Sequence, residues 1–309
     1  MLTNEQRNRN LSVPTTCVDV VLDTDAYNEI DDQYALAYLL RSKEKLNTKA
    51  IYAAPFFNSR SEGPADGMEK SYEEIFKILT LLGEERPVLR GSKTYLADEQ
   101  TPVVSPAALD LAERALAYSP EHPLYVVAIG AITNVASAIL LEPKVAENTV
   151  VVWLGGHARH YFDTNEFNMK QDIAAARVVM KSGVPFVQLP CMGVVDKFAL
   201  SAPELATWFE GKNELCDYLA QVTKQHAKDH KYQGGCYWSK VIWDVTAVAW
   251  LVNERFMLSS VQPVRLPDFN YQYEQKEQEH QMVYVYSINR NLLMEDMVKK
   301  LAGQSGETV

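Results

Sequence analysis

Residues 20–40, VVLDTDAYNEIDDQYALAYLL, place four aspartates, Asp23, Asp25, Asp31 and Asp32, at the seam between an apolar run and an amphipathic one. The apolar residues 18–22 have the character of a strand buried on both faces of a parallel sheet. Ala35, Leu36, Leu39 and Leu40 then recur at the spacing of a helix packing back onto that strand. The acids therefore fall at the carboxyl end of the strand, the edge where open α/β sheets form their ligand crevice. Helix capping accounts for one such aspartate, since a first turn presents the positive end of the helix dipole. It does not account for four. Crowded carboxylates repel one another, and a hard divalent cation, calcium or magnesium, is the usual remedy.

The same alternation continues outward from this stretch. Strand-like runs at 18–23, 48–53, 87–91, 124–130, 149–155 and 185–189 are separated by helical patterns at 31–40, 68–82, 107–118, 132–141 and 173–181. That rhythm predicts an α/β fold with a mostly parallel central sheet and helices on both faces, an open Rossmann-like sheet. Beyond residue 202 the rhythm changes to a long helical region at 203–231, a Gly-Gly turn at Gly234, a helix from Trp243, and strands at 261–266 and 281–289. Between those strands, 271–279 (YQYEQKEQE) has the polarity of a hairpin connection. We read the C-terminal part as an added layer on one domain spanning residues 1–309.

Composition narrows the function. With 309 residues, 47% of them hydrophobic, the chain has enough apolar material for one large core. A formal net charge of −10 argues against a nucleic-acid partner, which needs a basic face, and favours a neutral or cationic small ligand. Cys17, Cys191, Cys216 and Cys236 show no CxxC pairing, which points to reduced thiols rather than to disulfides or zinc. The polar start, MLTNEQRNRNLSVPTT, lacks the apolar core of a signal peptide, and no run is long enough to span a bilayer. The expectation is a cytoplasmic protein with no membrane partner.

Several ordered motifs resemble the nucleoside hydrolases, whose N-terminal signature is Asp-x-Asp followed closely by Asp-Asp after the first strand. Ala128-Ile129-Gly130 with Ala131–Ala136 resembles that family's Thr-Gly-Pro-Leu-Thr-Asn segment. Leu154-Gly155-Gly156 and Glu166-Phe167-Asn168 resemble its Gly-Gly and Glu-Phe-Asn segments, and Trp243-Asp244 resembles its C-terminal metal aspartate. The resemblance implies a calcium ion held by Asp25, Asp32, Asp244 and the main-chain carbonyl of Ile129. An isoleucine is no obstacle there, because only its backbone oxygen coordinates. It further implies that Asp31, Asn58, Glu166 and Asn168 bind ribose, that Asp25 is the general base for an attacking water, and that attack inverts C1′. A small-molecule nucleoside substrate and a homo-oligomer, dimeric or tetrameric, are implied as well.

Two departures from the family stand out. Many members have a histidine before the last aspartate, whereas Trp243 matches the purine-preferring branch, in which that tryptophan stacks on the base. The loop between the aspartate pairs is longer by two residues and lacks its glycine, which brings in Asn28 and Glu29 as candidate intruders on the sugar or extra ligands. His226 and His230, four apart on a helical pattern, read as a solvated face. Residues 231–238 (KYQGGCYW) read as an aromatic flap through which Tyr232, Tyr237 or His230 closes on a base.

Two other functions fit parts of the pattern. VVLDTD also resembles the strand-end Asp-x-Asp of haloacid-dehalogenase-type phosphohydrolases, although no later Gly-Asp-x-x-x-Asp follows. A calcium-dependent sugar binder without turnover is the remaining alternative.

Overall fold

The computed structural model describes residues 2–231 and 237–303. After a short helix α1 (Asn4–Asn10), strands and helices alternate as the periodicities predict: β1 (Val18–Thr24), α2 (Asp31–Leu40), β2 (Leu46–Ala53), α3 (Pro64–Leu82), β3 (Val88–Arg90), α4 (Pro106–Ala115) and β4 (Leu124–Ala128). Then come α5 (Thr133–Leu141), α6 (Val145–Asn148), β5 (Thr149–Leu154), α7 (Phe167–Gln171), α8 (Ile173–Lys181) and β6 (Phe186–Leu189). The C-terminal third supplies β7 (Ala199–Ser201), α9 (Ala202–Trp208), α10 (Glu214–Asp229), β8 (Ser239–Val241), α11 (Val245–Val252), β9 (Met257–Pro267), β10 (Tyr273–Ile288) and α12 (Arg290–Ala302).

The central sheet runs β3-β2-β1-β4-β5-β6-β10-β9. Every neighbouring pair in it is parallel except β10 with β9. The winding direction reverses between β1 and β4, so the loops leaving those two strands diverge and open a crevice there. Side-chain alternation along β1 feeds a separate core on each face. Val20 and Leu22 join α2, α3, α10, α11 and α12, while Val21 joins α4, α5 and α8. Both faces of the parallel strands are covered, which is why they carry continuous apolar runs.

The C-terminal part differs from expectation in three ways. The expected helix at 203–231 is two helices, broken where Gly211 takes a left-handed φ of 71° and Asn213 caps α10 by accepting from Cys216 N. β9 and β10 extend the central sheet instead of forming a separate layer. The polar stretch expected to connect them lies largely inside β10, where Tyr273 packs on the core while most of the residues from Gln275 to Glu279 are exposed. The Gly-Gly turn at Gly234 lies outside the described residues. Among the described residues no helix is long and apolar enough to cross a membrane. Cys17, Cys191 and Cys216 are free thiols.

The β1 end is fixed by a buried amide. Asn134, in the first turn of α5, donates through Nδ2 to Asp23 Oδ1 at 2.8 Å and accepts from Ser92 N at 2.7 Å and Ser92 Oγ at 2.8 Å. Replacing Asn134 with Ala leaves a buried amide and a carboxyl group without partners, which we expect to cost about 2–4 kcal/mol in urea unfolding. A loss below about 0.5 kcal/mol, the range of an inconsequential surface change, would contradict this role.

Candidate active site and metal centre

Asp25 leaves β1 at the reversal point, and the turn that follows is closed by Asn28 N donating to Asp25 O at 2.7 Å. Asp31 and Asp32 open α2, where the helix dipole favours negative charge. Asp244 arrives from the far end of the chain, immediately before α11. Carboxylate oxygens of Asp31, Asp32 and Asp244 lie within 4.8 Å of one another, all buried, and Asp25 is close enough to raise the pKa of Asp244 along with Asp31 and Asp32. Asp244 thus comes within reach of Asp31 and Asp32 from the far end of the chain, as the sequence pattern required. Asp23 does not join them, because its carboxyl group turns to Asn134.

Each acid is held in a defined orientation. Thr24 Oγ1 donates to Asp32 Oδ1 at 2.5 Å, and the backbone N–H of Trp243 donates to Asp31 Oδ2 at 3.0 Å. Gly130 stands against Asp25, where a Cβ would come within 3.0 Å of the Asp25 carboxyl group, so a side chain at 130 would push that carboxylate aside. Both oxygens of Asp25 and Oδ2 of Asp32 are buried and meet no donor among the described residues. Buried carboxylate oxygens without donors are costly unless a positive charge reaches them. Oxygen donors from two strand ends and two helix starts also suit a hard cation with an irregular shell of six to eight ligands. The residues present therefore fit a divalent ion.

The electrostatics agree. Burial, reinforced by Asp31, pushes the Asp32 carboxyl group up to about 7. Burial followed by repulsion from Asp32 and Asp31 raises Asp25 well above the ordinary carboxylate range, and burial with Asp31, Asp32 and Asp25 does the same to Asp244.

Above the acids lies a cleft of about 280 Å³ whose wall includes Asp31, Asn58, Glu166, Asn168, Trp243 and the backbone position of Ile129. Glu166 caps α7, its carboxylate accepting from Gly156 N at 3.0 Å, Asn168 N at 2.9 Å and Met169 N at 2.9 Å. Asn168 does not cap a helix; its Nδ2 donates to Ile129 O at 3.2 Å and Leu154 O at 3.0 Å, tying the ends of β4 and β5 together. The cap of α8 is Asp172. Asn58 holds the lengthened loop, its Nδ2 donating to Asn28 Oδ1 at 2.7 Å while its Oδ1 accepts from Arg60 N at 2.8 Å. Trp243 is partly buried, packed on the core on one side and facing the cleft on the other.

Sequence reasoning did not find His157, Asn165, Cys191 and Met192, which also line the cleft. No spacing signal joins them to the acids, since they reach the cleft only through the loops after β5 and β6. His226 is not on a solvated face: it is buried, with its ring stacked on that of His230 at 4.0 Å between centroids. Tyr232 of the expected flap lies outside the described residues, and Tyr237 is exposed.

Such an acid-lined crevice at the reversal point of a parallel sheet is a ligand site suited to a hard cation. Comparison with known proteins narrows the function. The family model described as inosine-uridine preferring nucleoside hydrolase matches residues 20–295, and the chain belongs to that family. It is 28% identical over 270 residues to the non-specific ribonucleoside hydrolase RihC of Salmonella paratyphi A, covering 80% of this chain and 83% of that one. The fold is shared with a plant nucleoside hydrolase, PpNRh1, at a TM-score of 0.74 and 17% identity, over 94% of this chain and 100% of the other. It is shared equally with a purine-preferring ribonucleoside hydrolase from Gardnerella vaginalis, at 0.72 and 17%, over 92% and 98% of the two chains. The protein is a hydrolase of ribonucleoside N-glycosyl bonds, the first of the functions read from the sequence.

The raised carboxyl pKa values give a signed pH prediction for the metal-free chain. Their folded values, about 7 for Asp32, exceed the roughly 4 of an unfolded aspartate, so the folded state binds more protons between those limits. The stabilisation is present below pH 4 and is lost as pH rises through 7. After chelation the chain should melt at a higher temperature at pH 5 than at pH 8, and calcium should raise the melting temperature more at pH 8. A chelated chain that grows more stable from pH 5 to 8 would contradict the assignment.

Proposed function

We propose that this protein hydrolyses purine ribonucleosides in a calcium-dependent reaction, with Asp25, Asp32, Asp244 and the carbonyl oxygen of Ile129 holding the ion. The observation that carries this reading is the set of donor-free buried oxygens on Asp25 and Asp32 beside Asp244. A calcium ion bound there would anchor sugar hydroxyls and make a neighbouring water more acidic. The remaining work falls to the chain itself.

Asp25 accepts the proton of the attacking water as general base, which suits a carboxylate whose basicity is raised by burial and by Asp32. Asp31, Asn58, Glu166 and Asn168 line the wall that faces the ribose, and fixing the sugar against the base-activated water turns an encounter into an oriented attack on C1′. The new C–O bond forms on the face opposite the leaving base, and the base departs with the electron pair of the C1′–N bond. Burial raises the pKa of Glu166 against the pull of three backbone amides, and those amides fix the carboxyl group in the cleft wall, where it meets a sugar hydroxyl. Trp243, partly open to the cleft, supplies an aromatic face for a purine.

Inosine, guanosine, adenosine, uridine and cytidine, each assayed for free ribose with calcium and after chelation, test the reading. Release from the purines at rates several-fold above the pyrimidines, abolished by chelation, is expected. Release unaffected by chelation contradicts the metal role. Asp25→Asn should lower kcat by roughly 10²–10⁴-fold, the usual worth of a general base, with calcium binding weakened as well. Trp243→Ala should raise KM for inosine by roughly tenfold with little change for uridine, as expected of a lost stacking contact. Equal effects on both nucleosides would mean that Trp243 serves the core instead.

A further inference from the structure

The lengthened loop after Asp25 carries a feature that the acid cluster alone does not explain. Lys240, on β8, is 4% exposed at its side chain, and its Nζ lies 2.5 Å from Glu29 Oε2 and 3.6 Å from Asp31 Oδ1. β8 pairs antiparallel with β7, Lys240 opposite the fully buried Leu200, so the backbone under this lysine is fixed by the sheet and the core. Three residues on, the Trp243 N–H grips the other oxygen of Asp31. Residues 240–244 thus bring an ammonium, an amide and the Asp244 carboxylate to one cluster. The loop they meet is pinned on its other side, where Arg60 Nη1 donates to Glu29 O at 2.9 Å and Asn58 Nδ2 donates to Asn28 Oδ1.

We propose that Lys240 is a positioning residue of the metal centre: its ammonium, clasped between Glu29 and Asp31, orients Asp31 and sets the site's affinity for calcium. The proposal rests on the calcium reading above. A buried ammonium is costly unless it is paired, and the two carboxylates supply the pairing. In return Lys240 offsets part of the repulsion among the acids before an ion arrives, and it opposes the ion once bound. Glu29 acts with the opposite sign. It takes up the charge of the lysine at 2.5 Å and so limits how far that positive charge reaches into the cluster.

Calorimetric titration of the full chain with calcium chloride, after chelation and dialysis, reads this directly and needs no substrate. Lys240→Met, which keeps the length and removes the charge, should bind calcium roughly tenfold tighter, an effect of the size expected for one nearby charge acting on a divalent ion at an interior effective dielectric. Its metal-free melting temperature should fall and its rise on adding calcium should exceed that of the wild type. Glu29→Gln, which frees the ammonium to act on Asp31, should bind calcium several-fold more weakly at the same effective dielectric. Lys240→Arg should keep the wild-type affinity. A structural defect would weaken both charge-removing variants, so shifts of opposite sign support the proposal, while shifts of one sign or none overturn it. If Lys240→Met fails to fold, weaker binding by Glu29→Gln with unchanged binding by Lys240→Arg supports it, and any other pair of results overturns it. Absence of calcium binding by the wild-type chain overturns the calcium reading and this proposal together, whereas wild-type binding with equal affinity in all variants overturns this proposal alone.

Discussion

Repulsion among buried carboxylates is the constraint around which this molecule is arranged. Asp25, Asp31, Asp32 and Asp244 are removed from water, and three of their oxygens meet no donor among the described residues. A fold holds such a group only if its scaffold is stiff and if positive charge is at hand. The stiffness comes from the parallel sheet, with cores on both faces and the β1 and β4 ends tied by Ile129 N donating to Asp23 O at 2.8 Å. Positive charge comes from the dipole of α2 and from Lys240, with a divalent ion as the remaining source.

The placement follows from topology. The sheet reverses its winding between β1 and β4, and that reversal opens space above two adjacent strand ends. Asp25 and Ile129 are the residues that step off those ends, while α2 and α11 direct Asp31, Asp32 and Asp244 into the same space. The cleft residues Asn58, Glu166 and Asn168 come from the segments after β2 and β5, so one sheet edge supplies most of the cleft wall. Catalytic geometry of this kind stands on the rigid core beneath it and tolerates variation in the loops above.

Much of this was legible in the sequence because the signals are local. The apolar run of β1 and the spacing of Ala35, Leu36, Leu39 and Leu40 placed a strand, a turn and α2 within a few residues, and α2 spans the range its pattern predicts. Asp25, Asp32 and Asp244 were expected together from their resemblance to a family motif, a signal carried by residue types at short, fixed spacing. The misses are non-local or lack a burial pattern. Lys240 and Glu29 are far apart in the chain, and nothing in the residues around either reveals their pairing. The outer half of β10 alternates between exposed and half-buried residues, so no apolar stripe marks it as a strand. His226 was misplaced because a polar ring on a helix has no hydrophobic signature, yet stacking on His230 buries it. The break between α9 and α10 is marked only by Gly211 and Asn213, a short signal between two helical patterns.

The central claim is that the converged acids hold one divalent ion. Anomalous X-ray scattering from crystals grown in calcium, collected at a wavelength where calcium contributes, locates that ion independently of any activity. The account predicts a single strong peak bounded by Asp25, Asp32, Asp244 and the carbonyl oxygen of Ile129, with metal–oxygen distances of about 2.3–2.6 Å. A map with no peak inside that cluster at saturating calcium, or with the ion bound only elsewhere, would contradict it.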